Sequence, residues 1–160
     1  MLAEGDSAPD FTAKLAGDEP AEFTLSEHFG EAPLVLAFFP GAFTPPCTNE
    51  MVAFQEDLDD LRKSGATLYG ISADSPFSQA AFRDEHGLEF DLVSDMDRDA
   101  IDAYDVPLDI DDLGLQGVAE RAVFVIDGDG EITYAWVADD PTNEPDYEEL
   151  LAAVEEASGG

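Results

Sequence analysis

The chain is 160 residues long and 44% apolar, so we expect one domain spanning residues 1–160 with a hydrophobic core of its own. It has 38 acidic residues and 6 basic ones, a formal net charge of −32, which argues against nucleic acid and anionic membranes as partners. Acidic residues crowd the turns and exposed helix faces, as is typical of proteins from a high-salt cytoplasm, where counter-ions screen like-charge repulsion.

Apolar patterning predicts the first elements in chain order. Phe11 to Leu15 and Ala21 to Leu25 flank a Gly-Asp-Glu-Pro turn and predict an N-terminal hairpin. The continuous apolar run Leu34 to Phe39 predicts a strand that is covered on both faces. Next comes a helix whose buried stripe recurs every three or four residues, at Cys47, Met51, Phe54, Leu58 and Leu61.

The middle of the chain alternates between predicted strands and helices. These are a strand from Thr67 to Ala73, a helix from Pro76 to His86 that stops at Gly87, a short strand near Leu92 and Val93, and a helix from Arg98 to Tyr104. Residues 105–120 are expected to form a loop. Ala122 to Ile126 and Ile132 to Val137 flank Asp-Gly-Asp-Gly and predict a β-hairpin, and a helix from about Tyr147 ends the order.

This order predicts a thioredoxin-like α/β sandwich. Alternating strands and helices favour a mixed, mostly parallel sheet with helices on both faces, and the first hairpin is an N-terminal extension. The single cysteine allows no disulfide within the chain, which fits a reducing compartment. Neither a signal peptide nor an apolar run long enough for a membrane span is visible, so we expect a cytoplasmic protein.

Cys47 lies where a thiol can become reactive. The apolar strand ends at Pro40, and Cys47 follows two prolines at the start of the predicted helix. Unpaired backbone N–H groups and the helix dipole at such a position favour a thiolate, so Cys47 is a candidate nucleophile. The alternative is a small, inert, buried side chain, since free cysteines are often found in cores.

Two other residue types fit anion chemistry. Thr44 lies three residues before Cys47, where a dithiol redox motif has its first cysteine; a hydroxyl there can donate a hydrogen bond but cannot form a disulfide. Arg121 opens an apolar strand and could hold an anion in fixed geometry. The other five cationic residues fall on segments expected to be exposed: Lys14, Arg62, Lys63, Arg83 and Arg98.

Simpler interpretations of these residues remain open. Pro40 could merely end the strand, and Thr44 could merely cap the helix. Arg121 could form a surface ion pair with Glu120, and Glu50 could be a solvated acid in the first helical turn.

The pattern Pro40-x-x-x-Thr44-x-x-Cys47, together with Arg121, resembles the peroxiredoxin family of the alkyl hydroperoxide reductase and thiol-specific antioxidant type. Further similar segments run along nearly the whole chain: Ala8 to Phe11, Val35 to Phe39, Cys47 to Met51 and Arg121 to Asp127.

The resemblance implies a role for each matching residue. Cys47 attacks a peroxide oxygen and becomes a sulfenic acid, while Pro40 covers the thiol. Thr44 hydrogen-bonds the peroxide and the thiolate, and Arg121 holds the thiolate and the leaving oxygen. Glu50 matches an acid that orients the arginine and the threonine.

The expected partners follow from the same resemblance and from the missing second cysteine. Val52 stands where many relatives carry a resolving cysteine, so the chain is similar to one-cysteine peroxiredoxins, which need an external reductant. A low-molecular-weight thiol, thioredoxin or a glutaredoxin-like protein would serve, and relatives of this size commonly form homodimers. No cofactor and no metal are expected. The acids and glycine from Asp109 to Glu120 are spaced in part like a calcium-binding loop, but Leu113 occupies one of the ligand positions and cannot bind the ion.

Two other functions compete with a peroxidase that turns over. One is thiol transfer through mixed disulfides, which the single cysteine allows only in a monothiol form. The other is a thioredoxin-like redox sensor or binding module without turnover. Multiple-turnover peroxide consumption separates all three.

Overall fold

A computed structural model describes residues 2–17, 19–42, 45–140 and 143–159. The strands are β1 (Thr12–Leu15), β2 (Ala21–Thr24), β3 (Leu34–Phe38), β4 (Thr67–Ser72), β5 (Asp91–Ser94), β6 (Pro107–Ile110), β7 (Leu115–Ala119), β8 (Ala122–Ile126) and β9 (Ile132–Val137). The α-helices are α1 (Pro45–Lys63), α2 (Pro76–His86), α3 (Asp99–Ala103) and α4 (Tyr147–Gly159). No helix within the described ranges is long and apolar enough to cross a membrane.

Seven strands form one mixed sheet in the order β2-β1-β5-β4-β3-β8-β9. The predicted mixed α/β sheet and the N-terminal hairpin are confirmed. The parallel share is smaller than expected, because only β3–β4 and β4–β5 run parallel among the described pairings. Strand β8 returns antiparallel beside β3, and the first hairpin joins β5 antiparallel, so both flanks of the sheet are antiparallel.

Strand β3 is buried along its whole length because both of its faces are covered. Val35 and Ala37 face the core beneath α1 and α4, which also holds Phe82 of α2. Leu34 and Leu36 face a second core built with α3 and the N-terminal hairpin. The continuous apolar run that predicted this strand therefore reflects a sheet packed between two layers, as side chains alternate along a strand.

Side chains from β5, α1 and the end of β3 crowd around Gly70 in β4. A Cβ atom at Gly70 would lie 2.6 Å from the Leu92 Cδ2 atom, 3.3 Å from the Phe39 ring and 3.5 Å from the Met51 sulfur. A side chain at Gly70 would therefore have to displace the Leu92 side chain of β5, while its approach to Met51 of α1 would be an ordinary contact.

Helix α2 follows the signals that predicted it. Ser75 caps its N-terminus by accepting a hydrogen bond from the Ser78 N–H at 3.1 Å, and Pro76 occupies its first turn. The helix ends at Gly87, whose φ of 63° is left-handed. The predicted bounds of this helix are confirmed.

The prediction of a loop over residues 105–120 is wrong. Strands β6 and β7 form an antiparallel ribbon outside the main sheet, with Leu108 opposite Val118 and a register shift next to Asp109. The Asp109 carboxylate accepts a hydrogen bond from the Gly117 N–H at 2.8 Å. The strands were missed because they are short and end in turns rich in acids and glycine, while the Asp109 carboxylate supports the ribbon's own backbone.

Arg98 is not the exposed cation that the sequence led us to expect. It is half-buried and donates to three backbone carbonyl oxygens, those of Met96 at 2.9 Å, Gln116 at 3.2 Å and Gly117 at 3.1 Å. Its own backbone is left-handed, with a φ of 62°. The side chain therefore ties the β6–β7 ribbon to the end of β5.

Candidate active site

Strand pairing places Arg121 at the carboxyl end of β3. Phe38 lies opposite Ala122 in the antiparallel β3–β8 pair, so the residue before β8 falls beside the point where β3 ends. The Arg121 carbonyl accepts the Ala138 N–H at 2.9 Å, and this bond holds Arg121 beside the end of β9. The chain also leaves β3 here to enter α1, so the guanidinium lies beside the start of that helix.

The first two turns of α1 present two polar side chains on its buried face. Cys47 and Glu50 are three residues apart, a spacing that puts both on the same side of a helix. They are 1% and 0% exposed, respectively. The stripe continues with Met51 into the core, so the helix is anchored by apolar packing while its first two turns carry Cys47 and Glu50.

Arg121 joins the two side chains. Its Nη2 atom donates to the Cys47 Sγ at 3.1 Å, and its Nη1 atom donates to the Glu50 Oε1 at 2.6 Å. Arg121 is only 1% exposed. A guanidinium in contact with a sulfur and a carboxylate in a buried setting stabilises negative charge on both, because Coulomb attraction is stronger away from water.

Burial and charge act in opposite directions on Glu50. Burial raises its pKa to about 7, and this is the largest effect, while the Arg121 charge and hydrogen bond oppose it. Burial would lower the pKa of Arg121, but Glu50 and Cys47 more than offset this, so its pKa lies above its ordinary value. The guanidinium therefore stays charged, and the carboxyl can gain or lose a proton near neutral pH.

The loop between β3 and α1 is held from the neighbouring strand. Pro40 is buried directly after the strand, and the Ala42 N–H donates to the Asp74 Oδ2 at 2.7 Å. Asp74 follows the carboxyl end of β4, the parallel neighbour of β3. Thr44, the remaining predicted site residue, lies outside the described residues.

Sequence reasoning missed two residues beside the site. Glu144 raises the pKa of Glu50, and Tyr147 at the start of α4 donates to the Glu144 Oε1 at 2.8 Å. The Tyr147 ring packs edge-on against Phe54 of α1, with the centroids 5.4 Å apart. No local signal distinguishes these residues, because α4 reaches the site through packing on α1 and the sheet.

The simpler interpretations of two residues do not survive this geometry. Arg121 is not a surface partner of Glu120, since it is buried against Glu50. Glu50 is not solvated either, being 0% exposed. Among the residues that the structure describes, no group of three or more His, Cys, Asp or Glu side chains is placed to hold a metal ion.

The family model and the similar proteins all indicate one family. The AhpC/TSA family model matches residues 4–135. A chain from Mycobacterium tuberculosis classed as a peroxiredoxin is 38% identical over 136 residues, which covers 84% of each chain. A thiol peroxidase from Vibrio cholerae is 31% identical over 150 residues, covering 94% of this chain and 88% of that one.

Solved structures are similar over almost the whole length. The peroxidoxin BcpB of Mycobacterium tuberculosis superposes with a TM-score of 0.83 at 26% identity and covers 98% of each chain. The mitochondrial 2-Cys peroxiredoxin of Plasmodium falciparum gives a TM-score of 0.81 at 28% identity, over 96% of this chain and 92% of that one. The chain therefore belongs to the AhpC/TSA family of peroxiredoxins, thiol-dependent peroxidases with a thioredoxin-like fold.

Proposed function

We propose that this chain reduces hydrogen peroxide or alkyl hydroperoxides through a sulfenic acid on Cys47, in a one-cysteine cycle completed by an external thiol. The contact that carries the proposal is the 3.1 Å hydrogen bond from Arg121 to the Cys47 sulfur. It joins the chain's single thiol to a buried cation at the start of a helix, which is the setting that favours a nucleophilic thiolate.

The oxidative step transfers one oxygen to sulfur. The Cys47 thiolate attacks the distal peroxide oxygen, the O–O bond breaks, and the bonding pair leaves on the other oxygen as hydroxide or alkoxide. A proton then converts that anion to water or alcohol. Sulfur is oxidised from thiolate to sulfenic acid as the peroxide is reduced.

Arg121 and Glu50 serve different parts of this step. The guanidinium stabilises the thiolate before attack and the departing oxygen during it, because its donors already point at the reacting sulfur. Glu50 holds the other arm of the guanidinium at 2.6 Å and so fixes its orientation. A preorganised donor is more effective than a mobile one, since it needs no rearrangement while charge develops.

Pro40 and Thr44 complete the proposed site. Pro40, buried at the end of β3, shields the thiol from water, and Thr44 donates a hydrogen bond to the bound peroxide. Both roles rest on the sequence pattern that these residues share with the family.

Regeneration requires a thiol from another molecule. The chain has one cysteine, so the sulfenic acid cannot condense with a second thiol in the same chain. A first external thiol forms a mixed disulfide with Cys47 and releases water. A second thiol then releases Cys47 and leaves as the disulfide with the first.

Peroxide titration with mass detection tests the proposal. One equivalent of peroxide should give a sulfenic acid that a dimedone-type probe traps on the peptide bearing Cys47. Excess peroxide without thiol should add further single oxygens at the same residue, since no internal disulfide competes. Adding low-molecular-weight thiols, thioredoxin or a glutaredoxin-like protein should restore the reduced form and sustain turnover.

Cys47→Ser is the matched control, because it removes the nucleophile with little change in volume. It should abolish turnover while leaving thermal unfolding nearly unchanged. Full activity in this variant would overturn the proposal. A wild-type protein that oxidises once and then stops would instead identify a redox sensor.

We also propose that residues 1–160 form one domain that acts in the cytoplasm as a homodimer. A single cysteine suits a reducing compartment, and the expectation of a dimer comes from the family. Light scattering of the reduced protein across a concentration series tests the dimer. A monomeric mass throughout would exclude it.

A further inference from the structure

We propose that Asp74 is a positioning residue for the peroxidase reaction, one that acts through the backbone of the loop between β3 and α1. The inference rests on the proposed function. Its basis is the 2.7 Å hydrogen bond from the Ala42 N–H to the Asp74 Oδ2. Ala42 lies two residues after the proposed shield Pro40 and five before Cys47, so this bond fixes the backbone between the two.

The carboxylate of Asp74 is itself held rigidly. Its Oδ2 also accepts the Ser72 hydroxyl at 2.8 Å, and its backbone carbonyl accepts the Ser94 hydroxyl at 2.6 Å. Gln79 donates from Nε2 to the Ser72 Oγ at 2.8 Å and to the Val93 carbonyl at 2.8 Å. The loop is therefore tied to the ends of β4 and β5 by a chain of hydrogen bonds.

Most of this network is shielded from water. Ser72 and Gln79 are 0% exposed and Ser94 is 5% exposed. Hydrogen bonds in such surroundings are directional and costly to break, because a separated partner is not hydrated in compensation. The network thus transmits the fixed geometry of two central strands to the backbone at Ala42.

An ordinary helix-capping role does not account for Asp74. It lies two residues before α2, but the cap is supplied by Ser75, whose hydroxyl oxygen accepts the Ser78 N–H at 3.1 Å. The Asp74 side chain bonds to a different element, 32 residues earlier in the chain. Its carboxylate therefore serves the active-site loop.

Asp74→Ala tests the inference. We expect kcat/KM for peroxide to fall on the order of 10- to 100-fold, since small displacements of reacting groups are costly. Alkylation of Cys47 by a small neutral reagent should change much less, because it does not need the loop groups that surround a bound peroxide. Hydrogen exchange of the peptide covering residues 40–46 should become faster as the Ala42 amide loses its acceptor.

Two further variants separate positioning from stability. Ser75→Ala removes the neighbouring cap and lowers the melting temperature, yet it should keep the wild-type peroxide rate because Ser75 does not touch the loop. Asp74→Asn keeps an oxygen that can accept from Ala42 and Ser72, so it should retain most of the rate. If Asp74→Ala fails to fold, Ser72→Ala, which releases one anchor of the carboxylate, should show an intermediate loss.

The outcomes are distinguishable. Wild-type protein without peroxide turnover would refute the proposed function itself. Active wild type, with Asp74→Ala equally fast or with both reactions of Cys47 slowed in parallel, would refute the positioning role alone. A loss in Ser75→Ala as large as in Asp74→Ala would also refute it, because the effect would then follow stability.

Discussion

Arg121 and Arg98 both use their guanidinium groups to join separate parts of the chain, but their acceptors differ. Arg98 donates to three backbone carbonyl oxygens, which carry no net charge and do not titrate. Arg121 donates to a thiol sulfur and a carboxylate, both of which gain or lose charge. The comparison teaches that an arginine side chain serves either to hold the fold together or to support a reaction, and that the acceptors around it decide which.

The two arginines also differ in burial, and this adds to the difference between their acceptors. Arg121 is 1% exposed, whereas Arg98 is partly open to solvent. Charges away from water interact strongly, and those near water are screened. Substitutions at the two positions should therefore affect different measurable quantities.

The largest effect is expected for Arg121→Lys. It keeps the positive charge but loses the planar fork that contacts Cys47 and Glu50 together. We expect kcat/KM for peroxide to fall by about 10²–10³, the loss found when one preorganised donor to developing charge is removed. Stopped-flow measurement of peroxide consumption is the test.

Arg98→Lys is the matched control, because it makes the same chemical change outside the site. Its peroxide rate should equal that of the wild type, while its melting temperature falls. Equal rates in both variants, or equal losses in both, would contradict the distinction between the two arginines.

Glu50→Gln should alter how stability depends on pH. The pKa of Glu50 is raised from 4.5 to about 7, so the folded chain holds a proton that the unfolded chain releases between these values. Unfolding free energy contributed by this group is therefore fully present below pH 4.5 and is lost as pH rises toward 7. The contribution is on the order of 2–3 kcal/mol, and glutamine removes its pH dependence.

Denaturant unfolding of both proteins from pH 4.5 to 8 measures this difference, since every other acid is common to the two. The wild type should lose stability relative to Glu50→Gln as pH rises through this range. A constant difference across the range would show that Glu50 stays ionised beside Arg121 throughout.

A smaller effect is expected for Arg98→Ala, at about 1–2 kcal/mol of unfolding free energy, because three hydrogen bonds from a charged donor are lost at a half-exposed position. Arg98→Gly should recover part of this loss, since glycine adopts the left-handed φ of 62° at this position without steric cost. Thermal unfolding compares the pair. Glycine less stable than alanine would show that the backbone here is not strained.

The smallest effect is expected when salt is added, because salt acts on the charged surface rather than on either arginine. With 38 acids and 6 bases, exposed like charges repel, and the Debye length shrinks to about 3 Å at 1 M salt. Raising potassium chloride from 0.1 M to the molar range should increase the melting temperature, by about 2–4 °C for each kcal/mol of unfolding free energy that screening adds. Sucrose at equal osmolarity is the control, and an unchanged melting temperature in salt would contradict adaptation of this surface to high salt.

The sequence predicted those parts of the fold that have a local signal. The continuous run of β3, the stripe of α1, the caps of α2 and the turn before β9 all depend on neighbours in the chain. The ribbon of β6 and β7 has only a weak signal, because its strands are four and five residues long and the apolar side chains of β6 are only half-buried.

The candidate site likewise contains residues that a local sequence signal predicts and residues that it does not. Cys47 could be located from its helix start, and Arg121 from its place before an apolar strand. The buried contact of Glu50 with Arg121 joins residues 71 positions apart in the chain, so the helix sequence alone does not distinguish Glu50 from a solvated acid. Asp74 carried a weaker signal, as a polar residue following a strand at the same sheet edge as Cys47.

Gly70 marks the place where side chains from three elements meet over β4. The absence of a side chain there leaves space for Leu92, Phe39 and Met51, and Met51 lies one helical turn beyond Cys47. An added methyl group would lie 2.6 Å from the Leu92 Cδ2 atom, so the Leu92 side chain would have to turn away, whereas Met51 at 3.5 Å would meet the methyl group in ordinary contact. The helix that carries Cys47 thus rests on the sheet through flexible side chains, which can absorb a small change before it reaches the sulfur.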